Sequence, residues 1–386
     1  MKALIIGAGV GGLTTALALR RAGLEAAVFE RAEDVGAVQL GGGIHLWPNG
    51  MRGLQIAGVA EQVEALGGRA ATVERAEFST SRGRVLARWP MAELEREVGA
   101  PTVGVVRPEL HRVLLDAIEP GVLRLGAAFE SFAEEDGSVV ARFADGSEQR
   151  GDVLIGADGL RSAVRAQLKG AEELHSAGYC SWQGFAQGED ERWPVGLFRV
   201  IFGRGARFLH YHVSSERLYW EGIVATPPDH GDPPDGRGNA ALARFAPWRS
   251  PVEAIIAATD PSSINRAHIY VRRPLSSWGA GRVTLLGDAA HPMTNAMGQG
   301  ANQAIEDAIV LSNALGAAGG DVVAALRHYE RERIVRTSGV VRISGLMSTL
   351  SSLQQPALVA VRNGWLRFSL SSFIYRQLRK DMAYPF

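Results

Sequence analysis

The chain has 386 residues, 46% of them hydrophobic and 21% charged, and its 41 Lys and Arg are balanced by 41 Asp and Glu. This is the composition of a globular enzyme of about two domains, and zero net charge without a basic stripe argues against a nucleic-acid partner. Cys180 is the only cysteine, which excludes an internal disulfide, a cysteine zinc cluster and a redox cysteine pair and points to a reducing cytoplasm.

The N-terminus reads MKALIIGAGVGGLTTALALRRAGLEAAVFER. An apolar strand over Lys2–Ile6 enters a turn with Gly7, Gly9 and Gly12 in G-x-G-x-x-G spacing. A helix over Leu13–Arg21 and a strand over Ala26–Phe29 follow, and the strand ends in Glu30. Gly7 permits the tight turn, Gly9 lets backbone approach a pyrophosphate, and Gly12 allows close helix–strand packing. The new helix offers free N–H groups to phosphate, and Glu30 stands where a carboxylate reaches a ribose hydroxyl. The pattern predicts dinucleotide binding without separating NAD from FAD. Starting on a strand, the chain is expected to carry no signal peptide, and no run of 18 apolar residues predicts a membrane span.

A second glycine cluster, Gly41 to Gly43, precedes Pro48-Asn49-Gly50 and a helix from about Met51. Another helix follows Arg107 in RPELHRVLLDAI, with apolar residues at helical spacing. Short strands are predicted over Val122–Leu125, Ser138–Phe143, Glu148–Arg150 and Asp152–Ile155, the last running into GADGLRSAVR. From Gly178 to Thr226, YCSWQGFAQ, VGLFRVIFG, ARFLHYHVS and RLYWEGIVA read as four antiparallel strands. After a proline loop, PPDHGDPPDGRG, come one or two helices over Asn239–Thr259 and strands over Arg266–Val271 and Arg282–Leu286. The latter runs into GDAAHPMTNAMGQGANQAIEDAIVL, and the remainder is mostly helical. Asp158 and Asp288 both follow the carboxyl end of a strand, where open α/β sheets place ligands.

Three motifs in this order, GAGVGG with Glu30, GADGLRS, and GDAAHPM…GQGANQAIEDA, resemble the single-component FAD-dependent aromatic hydroxylases, which include 4-hydroxybenzoate, salicylate and urate hydroxylases. The resemblance covers nearly the whole chain. It implies an α/β fold: a Rossmann-like FAD-binding domain (1–72, 101–175, 276–335), an antiparallel-sheet substrate domain (73–100, 176–275) and a helical C-terminal segment (336–386). It implies a monooxygenase that uses NADPH or NADH and O2, through a flavin C4a-hydroperoxide, to hydroxylate an aromatic small molecule. The FAD contacts it implies are Gly7, Gly9, Gly12, Glu30, Arg31, Arg107, Asp158, Gly287, Asp288, Pro292, Gly298, Gly300, Ala301 and Asn302. One departure stands out: relatives carry proline where this chain has Asn295.

Candidates for the substrate side are His45, Trp182, Arg207, Leu209, Tyr211, Tyr219 and Trp220. Strand alternation puts Arg207, Leu209 and Tyr211 on one face and Phe208, His210 and His212 on the other. Arg207, Tyr219 and His45 are the candidate catalytic residues, and sheet packing is the favoured role for Trp220. No third ligand accompanies His210 and His212, so no metal is expected. The C-terminal apolar tail reads as a helix packed over the substrate domain. A flavin-dependent reductase, a halogenase and a non-catalytic FAD-binding protein remain alternatives on the same scaffold.

Overall fold

The structure is a computed structural model that describes residues 1–34, 36, 42–226 and 236–386, the side chains of 369–374 aside. Gly41 and most of the proline loop lie outside the described residues. In chain order the strands are β1 Lys2–Ile6, β2 Glu25–Phe29, β3 Gly43–Leu46, β4 Arg75–Thr80, β5 Val85–Pro90, β6 Val103–Val106, β7 Leu123–Arg124, β8 Phe129–Glu135, β9 Ser138–Phe143, β10 Glu148–Gly151, β11 Val153–Gly156, β12 His175–Gln187, β13 Leu197–Phe202, β14 Ala206–His212, β15 Arg217–Ala225, β16 Asn265–Val271 and β17 Val283–Leu285.

Among the described residues one sheet has the order β17-β11-β1-β2-β7, and its pairings are all parallel. Its central strands read as near-continuous apolar runs because both faces are covered, by helices and by the antiparallel sheet β10-β9-β8, whose Phe143 packs on Phe29. Leu4, Ile5, Val153, Leu154, Ile155 and Val283 are fully buried. The helices Val10–Arg21 and Gly300–Gly316 pack on each other against this sheet. The loops after β1, β11 and β17 therefore open at one carboxyl-terminal edge, which gathers the three sequence motifs.

The second sheet has the order β16-β12-β15-β14-β13-β4-β5. The four strands predicted from Gly178 onward are antiparallel, but β4 joins β13 in parallel, so the sheet is mixed. One face is covered by the helices Arg237–Phe245 and Val252–Ala257, which bury Phe245, Trp248, Val252 and Ile255 against Phe208 and Trp220. The other face looks toward the first sheet and toward the C-terminal helices. These run over Val322–Ser351, Pro356–Trp365 and Ser371–Met382. Leu366, Leu378 and Met382 are buried against the sheet, while Leu358, Val361 and Phe368 are exposed. No described helix is long and apolar enough to cross a membrane.

Candidate active site

One cavity of about 440 Å³ joins the carboxyl-terminal edge of the parallel sheet to the inner face of the mixed sheet. At the first end it is lined by Gly9, Arg107, Gly159, Gly287, Asp288 and Gly300. The reasons these positions are glycine differ. A Cβ on Gly7 would stand 2.5 Å from the Ala157 carbonyl oxygen, and one on Gly12 only 2.0 Å from that of Gly7. Both are packing glycines. A Cβ on Gly9 or Gly159 would meet no protein atom within 4 Å and would project into the cavity.

Glu30 is half-buried, and its two oxygens accept from the backbone N–H groups of Ala8 and Ala32 at 2.9 and 3.0 Å. Arg31 is exposed beside it and does not line the cavity. Asp158 caps the helix Ala163–Lys169 by accepting from Ala163 and Val164 through Oδ2, and its buried Oδ1 has no hydrogen-bond partner among the described residues. Asp288 presents its carboxylate to the cavity. The surrounding protein raises its pKa, partly offset by His291 and Arg107.

The third motif is held from behind. Asp307 accepts from the Gly287 N–H at 2.9 Å, from His291 Nε2 at 2.6 Å and from Arg333 Nε at 2.6 Å. Arg333 also reaches Glu306 at 2.5 Å, and all three charged side chains are fully buried. Burial opposes ionisation of Asp307, but His291 and Arg333 outweigh it and hold the carboxyl at about 2. His291 is thus a brace, as is Asn302, whose amide donates to the carbonyls of His45 and Gly298 and accepts from the Trp47 N–H. Pro292 is buried, while Gly298 takes φ +61° at the turn before the helix Gly300–Gly316.

At the other end the mixed sheet turns Gln183, Arg207, Leu209, Tyr211, Tyr219 and Glu221 into the cavity. Trp182 does not join them. It points to the opposite face with Cys180, because its neighbour Gln183 holds the inward parity. Trp220 also lies on that far face, stacked on Phe208 and donating to Thr259. His45 stacks on Phe198 with ring centroids 4.5 Å apart, and burial lowers its pKa to about 3, so it stands neutral.

Glu221, absent from the residues singled out in the sequence, is the hub of this end. Its Oε1 accepts from Ser181 at 2.6 Å, Asn295 at 2.5 Å and Gln183 at 3.4 Å. Its Oε2 lies 3.7 Å from Arg207 Nη2. Arg207 is buried, donates through Nη1 to the Ala296 carbonyl at 2.8 Å, and keeps Nε and Nη2 without hydrogen-bond partners among the described residues. Burial raises the Glu221 carboxyl and lowers the Arg207 guanidinium, each offset by attraction to the other. Among the described residues no group of three or more His, Cys, Asp or Glu could hold a metal.

Residues from three strand-end turns around a cleft, an open glycine at Gly9 and a carboxylate at Asp288 suit a flavin dinucleotide, and the cleft's far end is walled by Phe198, Tyr211 and Tyr219. This is the architecture of a flavoprotein hydroxylase. The family model described as "FAD binding domain" matches residues 1–344, and the chain belongs to the FAD-dependent aromatic hydroxylase family. It is 35% identical over 384 residues to an aurachin C monooxygenase/isomerase from Stigmatella aurantiaca, covering 100% of this chain and 98% of that one. It is 35% identical to an FAD-dependent urate hydroxylase from Klebsiella pneumoniae, covering 88% of each. The crystal structure of Klebsiella pneumoniae HpxO complexed with FAD and uric acid superposes with a TM-score of 0.91 at 31% identity, over 99% of this chain and 96% of that one. The chain is accordingly an FAD-dependent monooxygenase.

Proposed function

We propose that this enzyme hydroxylates an aromatic or heteroaromatic ring held between the Asn295–Gly298 turn and the inner face of β12, β14 and β15. The observation that carries this reading is the single cavity that runs from Asp288 and Gly9 to Arg207 and Glu221. Gly9, Gly159, Arg107 and Asp288 would hold FAD, Arg107 as a phosphate partner and Asp288 as a hydroxyl acceptor. When bound, FAD supplies electron transfer from NAD(P)H and the activation of O2.

The chain's own residues do the rest. Arg207 offers two unpartnered donors to an oxygen or nitrogen at the ring edge. Among the described residues Glu221 Oε2 accepts no hydrogen bond while three donors fix Oε1, so Oε2 is the site for a proton leaving a ring O–H or N–H. Its raised pKa makes it a stronger base than a surface carboxylate. Tyr211, Tyr219 and Phe198 wall the ring and exclude water. The same reading assigns the reaction to the cytoplasm, supported by the one cysteine, Cys180, being buried and unpaired.

The test is to supply the FAD-loaded protein with NADH or NADPH, O2 and a panel of phenols and N-heteroaromatics. A substrate should stimulate NAD(P)H oxidation and yield a product heavier by one oxygen atom. Arg207→Ala should retain FAD and divert turnover to hydrogen peroxide. Turnover without O2, or a halide requirement, would replace this reading by a reductase or a halogenase, and no stimulated turnover by a non-catalytic binder.

A further inference from the structure

The cavity is polarised across the mixed sheet. On the inner face, β12 and β15 carry Ser181, Gln183 and Glu221, whereas β13, β4 and β5 carry Val200, Phe202, Ala76, Phe78 and Trp89. Strand parity enforces this: Glu77, between Ala76 and Phe78, turns the other way to pair with Arg88 and Arg199. The apolar half continues to Ile343, Met347 and Leu378 on the C-terminal helices. The ring pocket therefore opens into an arm walled mainly by hydrocarbon on both sides, with Gln377 and an Asp381 already paired to Arg336 beside Leu378. The polar half carries one cation and one anion facing each other, Arg207 and Glu221, and no other charged side chain of β12, β14 or β15 lines the cavity, Arg217 on the same face being paired with Glu109. A carboxylate placed there would meet Glu221 as well as Arg207.

We infer that the substrate is a neutral aromatic ring bearing an apolar chain, its hydrogen-bonding edge at Arg207 and Glu221 and its chain in the arm between β4, β5, β13 and Leu378. This rests on the hydroxylase reading only for the reaction, since the inference concerns what binds. Burying a methylene gains about 0.8 kcal/mol, roughly fourfold in Kd, until the arm is full.

The experiment titrates the FAD-loaded protein with resorcinol, 4-propylresorcinol, 4-hexylresorcinol and 2,4-dihydroxybenzoate, reading the perturbation of the flavin absorbance and, independently, heat by calorimetry. Affinity should rise along the alkyl series, with the hexyl compound bound at least about 100-fold more tightly than resorcinol, and the carboxylate no more tightly than resorcinol. Ala76→Leu, which narrows the arm, should remove most of the affinity advantage of the hexyl compound over resorcinol. Glu221→Gln, which leaves Arg207 without its anion, should shift preference toward 2,4-dihydroxybenzoate at least about tenfold. Equal affinity along the alkyl series, or tighter carboxylate than neutral binding in the unaltered protein, overturns the inference. Graded binding without oxygenation of any compound would instead leave the substrate class standing and defeat the hydroxylase reading, and protein that takes up no FAD would defeat the cofactor assignment.

Discussion

Asn295 Nδ2 donates to Glu221 Oε1 at 2.5 Å, and Asn295 Oδ1 accepts from the Tyr179 hydroxyl at 2.7 Å. Asn295, where the resemblance implies a proline, thus ties the Asn295–Gly298 turn to the Glu221 carboxylate of the proposed substrate pocket. The preceding Thr294 has ψ 153°, an extended conformation that tolerates a following proline. Asn295→Pro should therefore fold, yet leave Tyr179 and Glu221 each short of a partner, at about 1–3 kcal/mol. Its FAD affinity should match the unaltered protein while a larger share of NAD(P)H is lost as peroxide. Unchanged coupling would show that the link is incidental.

Gly9 and Gly12 belong to one motif but should fail differently. Gly9 has φ −72°, ordinary for any residue, and space for a methyl group. Gly9→Ala should keep its melting temperature and crowd the cofactor by about 1–3 kcal/mol, on the order of 10- to 100-fold in the Kd for FAD. Gly12→Ala drives Cβ against the Gly7 carbonyl and should unfold or aggregate. FAD titration beside thermal melting separates the two, and equal behaviour of both variants would refute the assignment.

Arg333 neutralises Glu306 and Asp307 inside the protein, and Asp307 holds the Gly287 N–H. Arg333→Met leaves two buried carboxylates with His291 and Arg336 as their remaining cations and should cost about 3–5 kcal/mol in urea unfolding. FAD should weaken alongside, because the turn carrying Asp288 loses its support. A loss below about 1 kcal/mol, the range of surface ion pairs, would contradict this account.

His45 and His210 are both buried, and burial lowers each from 6.5 to about 3. At His210 the positive charge of Arg199 and the neighbouring His212 contribute to that shift. In the unfolded chain both take up protons below pH 6.5, while in the folded protein they do not. Stability from these two groups is thus complete above pH 6.5 and lost as pH falls toward 3, at up to ~2.7 kcal/mol per pH unit. Urea midpoints at pH 7.5, 6 and 5 should fall steeply over the last two, and His210→Phe should halve the slope. A flat profile to pH 5 would mean that both rings find a proton acceptor in the fold.

The cofactor end was legible in the sequence because its signals are local. Gly7 to Gly12 sit in one turn, and Asp158 and Asp288 each follow their own strand. Glu221 was not legible. Its partners Ser181, Gln183, Asn295 and Arg207 come from four separate segments, and an acidic residue in RLYWEGIVA reads as any outward strand position. Trp182 was misplaced by one step of parity, since the aromatic residue draws attention while Gln183 faces inward. The strands β4 and β5 escaped notice for a related reason. RAEFST and VLARWP alternate charged and apolar residues like surface strands, and their value lies in Ala76, Phe78 and Trp89, which meet the ring pocket only once β4 pairs with β13.

The cavity wall formed by Met347, Gln377, Leu378 and Asp381 lies beyond residue 344, where the match to the FAD-binding family model ends. Arg336 fastens this wall to the cofactor side by bonding both Asp381 and Glu306. Part of the wall of the proposed substrate pocket is thereby carried by the last helix, which Arg336 ties to the cofactor side while Arg52 holds the Tyr384 carbonyl just beyond it. Substitutions in that helix can alter the size and polarity of what the pocket accepts while the glycine turns and the carboxylate of the proposed flavin site stay untouched.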